Sequence, residues 1–292
     1  MNDAIDNKGA VSTTASTDTV PLHNNQKASK LLQLLRDRPL LASGSAAFDR
    51  LFVAPGGLSG RPVIELVGPP GEGKSRIALS IALQRCKSDC QTNQVVIIDT
   101  EGALTPSVIF SAALALANGH REEAISWTNR IHLLRCFERD HFIATLLNLS
   151  NWLKQNTQVG LVIIDSVSAP LRLNMFPTLP GLATSKQTDE ASPAAQRHAL
   201  MSLVSRTLAQ LTTSQVQVVA TAQMKNLIAE FDGIRDKMKD TATLVPQAGE
   251  AWHPPQGLER IVIFGLHDGT RCAQNMGTGV RVTYETTRYG IR

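Results

Sequence analysis

No apolar run in the sequence approaches the ~18 residues of a membrane span, and no basic segment followed by an apolar stretch marks a secretory signal. The expectation is an intracellular protein with no membrane partner. Cysteine is nearly as scarce. Cys86, Cys90, Cys136 and Cys272 are too few and too scattered for a disulfide framework. Cys86 and Cys90 are spaced to share a helix face, but no second Cys or His pair completes a zinc site, so they read as reduced thiols. Internal repeats are absent. The charge excess is slight, at +4 with a pI near 9.0, which is compatible with nucleic acid without requiring it. What is present, 292 residues of which 42% are apolar and 18% charged, suits a globular core with appendages.

The most informative stretch runs from the β-rich residues 63–67 into Gly68-Pro69-Pro70-Gly71-Glu72-Gly73-Lys74-Ser75 and on into a helical pattern over residues 76–84. Strand, glycine-rich turn and helix in that order form a phosphate cradle. Glycines let successive N–H groups point inward at an anion, Lys74 adds a point charge, and the helix start adds unpaired N–H donors and its positive dipole end. The spacing G-x-x-x-x-G-K-S is complete, and the Ser75 hydroxyl is placed to ligate Mg²⁺. Nucleotide binding is the working expectation.

Around this stretch, residues 1–28 are polar and aperiodic and read as a disordered tail, followed by a short helical lead-in over 29–43 and one large domain over 44–292. Continuous apolar runs ending in polar residues mark three buried strands, at 94–99, 160–165 and 215–223. Helical patterns cover 107–117, 141–154 and 194–211, and 131–134 is a short strand candidate. Residues 169–193 and 224–255 read as loops. Two closing strands, 261–266 and 280–284, are expected to join through Asp268-Gly269. This alternation predicts an α/β fold with a mostly parallel sheet, helices on both faces and antiparallel C-terminal strands.

Nucleotide hydrolysis needs a carboxylate for the hydrated metal, a group that orients water, and a γ-phosphate sensor. The three buried strands end in suitable residues. Asp165 has the Walker B form, Glu101 is placed to polarise water, and Gln223 offers an amide to a phosphate oxygen. Asp99 reads instead as a cap or turn residue.

The set Gly68–Ser75, Ile98-Asp-Thr-Glu-Gly102, Leu161-Val-Ile-Ile-Asp-Ser166 and Thr221-Ala-Gln223 resembles the ATPase core of the RecA-like strand-exchange recombinases, nearer to the eukaryotic and archaeal branch and its paralogues. Residues 43–51, 246–252 with Arg260, and 284–291 resemble that family's entry segment, post-loop stretch and closing turn. The resemblance implies a RecA-type core that takes ATP and Mg²⁺. In it Lys74 and Ser75 would hold phosphate and metal, Asp165 would be the Walker B acid, Glu101 the catalytic glutamate and Gln223 the link to a DNA loop. The two DNA loops would be residues 169–193 and 224–250, with Arg172 at a DNA-contacting position or simply solvated.

Departures from the family pattern shape the expected function. A recombinase of this branch carries a helical N-terminal domain and a polymerisation segment, and the stretch before residue 40 has room for neither. Phe110-Ser-Ala-Ala113 matches that segment's spelling but falls within a helical pattern and reads as core. Residues 225–250 carry four cations and five anions, too little positive charge for strong counterion release. Leu227, Ile228, Phe231, Ile234 and Met238 fall at helical spacing there, and neither loop has an aromatic cluster for stacking bases. The expectation is therefore a weak ATPase of the DNA-dependent type, a nuclear recombinase paralogue assisting homologous-recombination repair with related subunits and single-stranded or recombination-intermediate DNA. The alternatives are a self-sufficient filament-forming recombinase and an assembly module that nucleotide merely stabilises.

Overall fold

The computed structural model describes residues 41–52, 63–88, 92–172, 193–213, 216–227, 243–246, 258–266 and 268–292. Contacts divide the chain into Met1–Arg38 and Pro39–Arg292. The first unit, with the expected tail and the first two thirds of the helical lead-in, lies outside the described residues.

A short helix α1 (Ala46–Asp49) opens the second unit, capped by the Ser45 side chain. Strand β1 (Val63–Gly68) runs into the glycine-rich turn and helix α2 (Lys74–Lys87). Then come β2 (Gln94–Asp99), α3 (Pro106–Leu116), α4 (Arg121–Thr128), β3 (Ile131–Arg135), α5 (Arg139–Gln155) and β4 (Val159–Asp165). Helices α6 (Ser168–Arg172) and α7 (Pro193–Thr213) precede β5 (Gln217–Leu227), β6 (Thr243–Pro246), β7 (Glu259–Gly265), β8 (Arg271–Asn275) and β9 (Arg281–Tyr284).

Among the described residues the strands form one sheet in the order β3-β2-β4-β5-β1-β7-β8-β9, with β6 paired to β5. Pairing is parallel from β3 through β7 and antiparallel from β7 to β9. The expected α/β architecture holds. The continuous apolar runs follow from burial on both faces: Ile64, Leu66, Val95, Ile97, Leu161 and Ile163 pack with α2, α3 and α4, while Val67, Val96, Ile98, Val162 and Ile164 pack with α5 and α7. Alternation of side chains along a strand makes this division.

Phe110 and Ala113 lie in α3 and pack with the core, as their helical setting predicts. Four expectations need correction. The turn at Asp268-Gly269 leads into β8, not into the last strand, because the small buried residues Cys272 and Ala273 form a strand too weakly patterned to stand out. Residues 121–128, with Glu122 and Glu123 in the first turn, form a helix that the sequence reading left out. The stretch expected to be a loop from 169 begins as α6, and that expected from 224 begins as the end of β5, paired antiparallel with β6, Met224 with Pro246 and Leu227 with Thr243. Leu227 is therefore in a strand and not in an amphipathic turn, whose other residues, 228–238, lie outside the described residues.

One charge pair crosses the middle of the sheet. Glu65 in β1, with a side chain 0% exposed, accepts a hydrogen bond from Arg260 Nε in β7 at 2.6 Å, and the Arg260 side chain is 27% exposed. Arg260→Ala strips a buried carboxylate of its guanidinium, which costs about 3–5 kcal/mol. For a domain of this size the thermal midpoint is expected to fall by roughly 6–20 °C. A melting curve within ~2 °C of wild type would contradict this.

Candidate functional site

Three strands deliver their C-terminal ends to one place, and parity decides which side chains meet there. Asp99 shares a face with Val95 and Ile97, Asp165 with Leu161 and Ile163, and Thr221 and Gln223 with Val219. That is the face covered by α2, the helix that begins at the glycine-rich turn.

Within the turn, Gly73 has φ 90° and caps α2 without a side-chain hydrogen bond, so the first N–H donors of the helix stay available to an anion. A Cβ there would meet Thr286 at 2.8 Å, so a side chain is excluded by neighbour as well as by backbone. At Gly68 a Cβ would run into the Ile263 carbonyl of the adjacent β7. Lys74 is buried and its Nζ donates to Gly68 O at 2.9 Å and Pro69 O at 2.7 Å, which draws the ammonium across the loop. Glu72 turns outward instead. Its carboxylate lies 3.4 Å from Arg271 Nε in β8, and its carbonyl accepts from the buried Tyr284 hydroxyl at 2.9 Å. The antiparallel C-terminal strands thus brace the turn from the side. Of the turn residues, Pro70 and Gly71 are exposed and Pro69 is half-buried.

Asp165 is 1% exposed. Thr221 Oγ1 donates to its Oδ1 at 2.6 Å, and Oδ2 has no hydrogen-bond partner. Burial pushes this carboxyl above the usual carboxylate range. The Thr221 and Ser75 hydroxyls pull it back, and the like charges of Glu101 and Asp99 add to the rise. A buried carboxylate oxygen without a donor, beside the serine that opens α2, fits a divalent cation. A cation there would favour the charged form that burial disfavours. Ser75 and Asp165 are the residues that would hold it.

Asp99 is structural, as expected, but it is buried and not solvated. Its oxygens accept from the N–H groups of Gly102 at 2.7 Å, Glu101 at 3.2 Å and Leu104 at 3.3 Å, which shapes the turn that presents Glu101. Glu101 and Gln223, singled out separately in the sequence, meet: Gln223 Nε2 donates to Glu101 Oε1 at 2.8 Å and to Oε2 at 3.1 Å. The Gln223 backbone N–H donates to Ser168 Oγ at 3.0 Å, and Ser168 Oγ lies 2.8 Å from Ser166 Oγ. Thr100 closes the centre. Its hydroxyl donates to Ser166 O at 2.7 Å and accepts from Ser166 N–H at 2.8 Å. Thr100 and Thr221 stood inside the quoted motifs without a role of their own, and Ser168, three residues beyond Asp165, was not singled out. Arg172 is the last residue of α6, and its side chain lies outside the described residues.

Cys86, Cys136 and Cys272 are buried and form no disulfide, and Cys90 lies outside the described residues. Burial raises the Cys136 thiol above its ordinary value, the Thr145 hydroxyl opposes this, and Asp99 adds to it, so the neutral thiol is favoured over the thiolate.

Known proteins are similar to this chain in sequence. The model of the Rad51 family matches residues 37–234. The DNA repair protein RAD51 homolog 3 of Cricetulus griseus is 23% identical over 245 residues, covering 77% of this chain and 60% of that protein. The DNA repair protein RAD51 homolog 4 of Mus musculus is 30% identical over 142 residues, covering 47% of this chain and 42% of that protein, and its Bos taurus counterpart gives the same figures. The chain thus spans less than two thirds of the length of these relatives.

Proposed function

The chain belongs to the Rad51 family, and we propose that it is an ATP-hydrolysing recombinase paralogue that assists homologous-recombination DNA repair within a hetero-oligomer of related subunits in the nucleus. The observation that carries the catalytic part is the contact between Glu101 and Gln223, with Gln223 in register with Gly68 of the turn and Asp165 close to both Ser75 and Glu101. A water-orienting carboxylate held by an amide at the mouth of a phosphate cradle is suited to γ-phosphate hydrolysis.

In this reading the turn amides and Lys74 bind the β- and γ-phosphates, and they stabilise the charge that develops on the phosphoryl oxygens. Glu101 accepts a proton from water as the water oxygen bonds to the γ-phosphorus and the bond from that phosphorus to the β,γ-bridging oxygen breaks. Ser75 and Asp165 would hold Mg²⁺, which would supply Lewis-acid neutralisation of the phosphates. Asp99 keeps the Glu101 turn in shape, and Gln223 senses the γ-phosphate and reports to the chain beyond β5.

The paralogue reading draws on the relatives' names as DNA repair proteins and on the slight negative balance of residues 225–250, which carry four cations and five anions. Purified from its native cell, the chain is expected to bring related recombinase-type subunits with it, and alone to form no continuous filament on single-stranded DNA. Filaments assembled by the purified chain alone, seen by electron microscopy, would replace this reading with that of a self-sufficient recombinase.

A further inference from the structure

Thr221 is fully buried, two residues before Gln223 on the same face of β5. Strand β5 pairs with β4 through Ile164 and Ala220, so the next residues, Asp165 and Thr221, stand side by side. On its other side Thr221 is in register with Leu66 of β1, and its carbonyl accepts from Val167 N–H at 2.9 Å. The Thr221 backbone is thereby fixed between two neighbours. Its β-branched side chain has little rotamer freedom on such a surface.

We infer that Thr221 is a positioning residue for the Walker B carboxylate: its hydroxyl engages Oδ1 of Asp165 and so leaves Oδ2 as the oxygen that faces the nucleotide's divalent cation. Three observations meet in this assignment. The Thr221–Asp165 bond is short, at 2.6 Å, in the range of charge-assisted O–H···O⁻ bonds. Asp165 Oδ2 is buried with no hydrogen-bond donor of its own. Asp165 is locked at its backbone too, since its carbonyl accepts from Thr100 N–H at 2.8 Å, so the remaining freedom is rotation of the carboxylate. A donor on one oxygen removes that freedom and distinguishes two chemically identical atoms. Removing such a partner of a metal-binding carboxylate costs about 10- to 100-fold in metal affinity.

The inference rests on the nucleotide-binding reading, and one experiment separates the two. N-methylanthraniloyl-ATP is bound to wild type, Thr221→Val and Thr221→Ser, and its fluorescence is followed as Mg²⁺ is added, with a parallel binding curve in EDTA. Thr221→Val keeps the shape and loses the donor, so its Mg²⁺ half-saturation is expected to rise about 10-fold or more while binding in EDTA stays at the wild-type level. Thr221→Ser keeps the donor and is expected to stay within about 3-fold of wild type. A Val variant with the wild-type Mg²⁺ requirement overturns the inference, as does a Ser variant as impaired as Val, or an equal loss in EDTA, which would mark a packing defect. If Thr221→Val shows no cooperative melt, Thr221→Ala is judged by the same criteria. Failure of wild type to bind the nucleotide in Mg²⁺ would instead sink the nucleotide-binding reading itself.

Discussion

Lys74→Ala is expected to leave the fold standing and to remove the response to ATP. The Lys74 ammonium donates to Gly68 O and Pro69 O, two carbonyls of the loop it closes. These are local contacts around one turn, while the sheet beneath is held by β5 and β7 on either side of β1. Melting curves without nucleotide should therefore differ little. Toward ATP the change is large, since a hydrogen bond to a charged group is worth about 1.5–3 kcal/mol, or roughly 10- to 150-fold in affinity. At an ATP concentration of about 100 Kd, ligand binding adds ~2.7 kcal/mol to wild-type stability, a rise of roughly 5–11 °C for a domain of this size. The variant at the same concentration should show a small fraction of that rise. Lys74→Arg should fail in part as well, because a planar fork does not replace a compact point charge threaded across a loop. A Lys74→Ala protein with the full ATP-induced shift would remove Lys74 from the nucleotide site, and full repair in cells carrying it would remove nucleotide binding from the function.

How much of this was legible in the sequence depends on where the signal resides. The cradle was legible because its chemistry is local: strand, glycines, lysine and serine lie within thirteen consecutive residues, and each element is specified by its own composition. The strands that carry Asp99, Asp165 and Gln223 were legible because burial on both faces demands unbroken apolar runs. Thr221 was hidden for the opposite reason. Its role depends on register between β4 and β5, 56 residues apart along the chain, and a threonine inside a strand is ordinarily explained by β-propensity alone. Asp99 shows the same limit from another side. Its strand-end position suggested a cap or turn residue, but only the geometry shows that its three N–H partners build the Glu101 turn. Strand β8 was missed because Arg271, Gln274 and Asn275 break its apolar pattern. Two of these carry specific partners: Arg271 pairs with Glu72, and Asn275 donates to Leu51 O at 2.8 Å. Polar residues with tertiary roles conceal a strand from any reading based on periodicity.

Glu101→Gln is expected to lower kcat for ATP hydrolysis by about 10²- to 10⁴-fold, the usual contribution of a general base, with Mg²⁺–ATP binding nearly unchanged. The substitution preserves shape and removes the proton acceptor, and Gln223 retains an oxygen to donate to. Gln223→Ala asks a different question. In the structure one amide N–H of Gln223 is shared between the two Glu101 oxygens, so a γ-phosphate oxygen that takes this hydrogen must take it from Glu101. Release of the carboxylate toward water and displacement of Gln223 are then one event. Since β5 continues unbroken from Gln223 to Leu227 and its antiparallel pairing with β6, that displacement acts on the same strand that leads into the segment expected to meet DNA. Gln223→Ala should therefore hydrolyse ATP at a rate that no longer responds to single-stranded DNA. Residues in contact are not additive when they act as one unit. The Gln223→Ala, Glu101→Gln double variant should be no slower than Glu101→Gln alone, because without the carboxylate the amide has nothing to release. Multiplicative losses in steady-state rates would show instead that the two side chains act separately and that their hydrogen bond is incidental to hydrolysis.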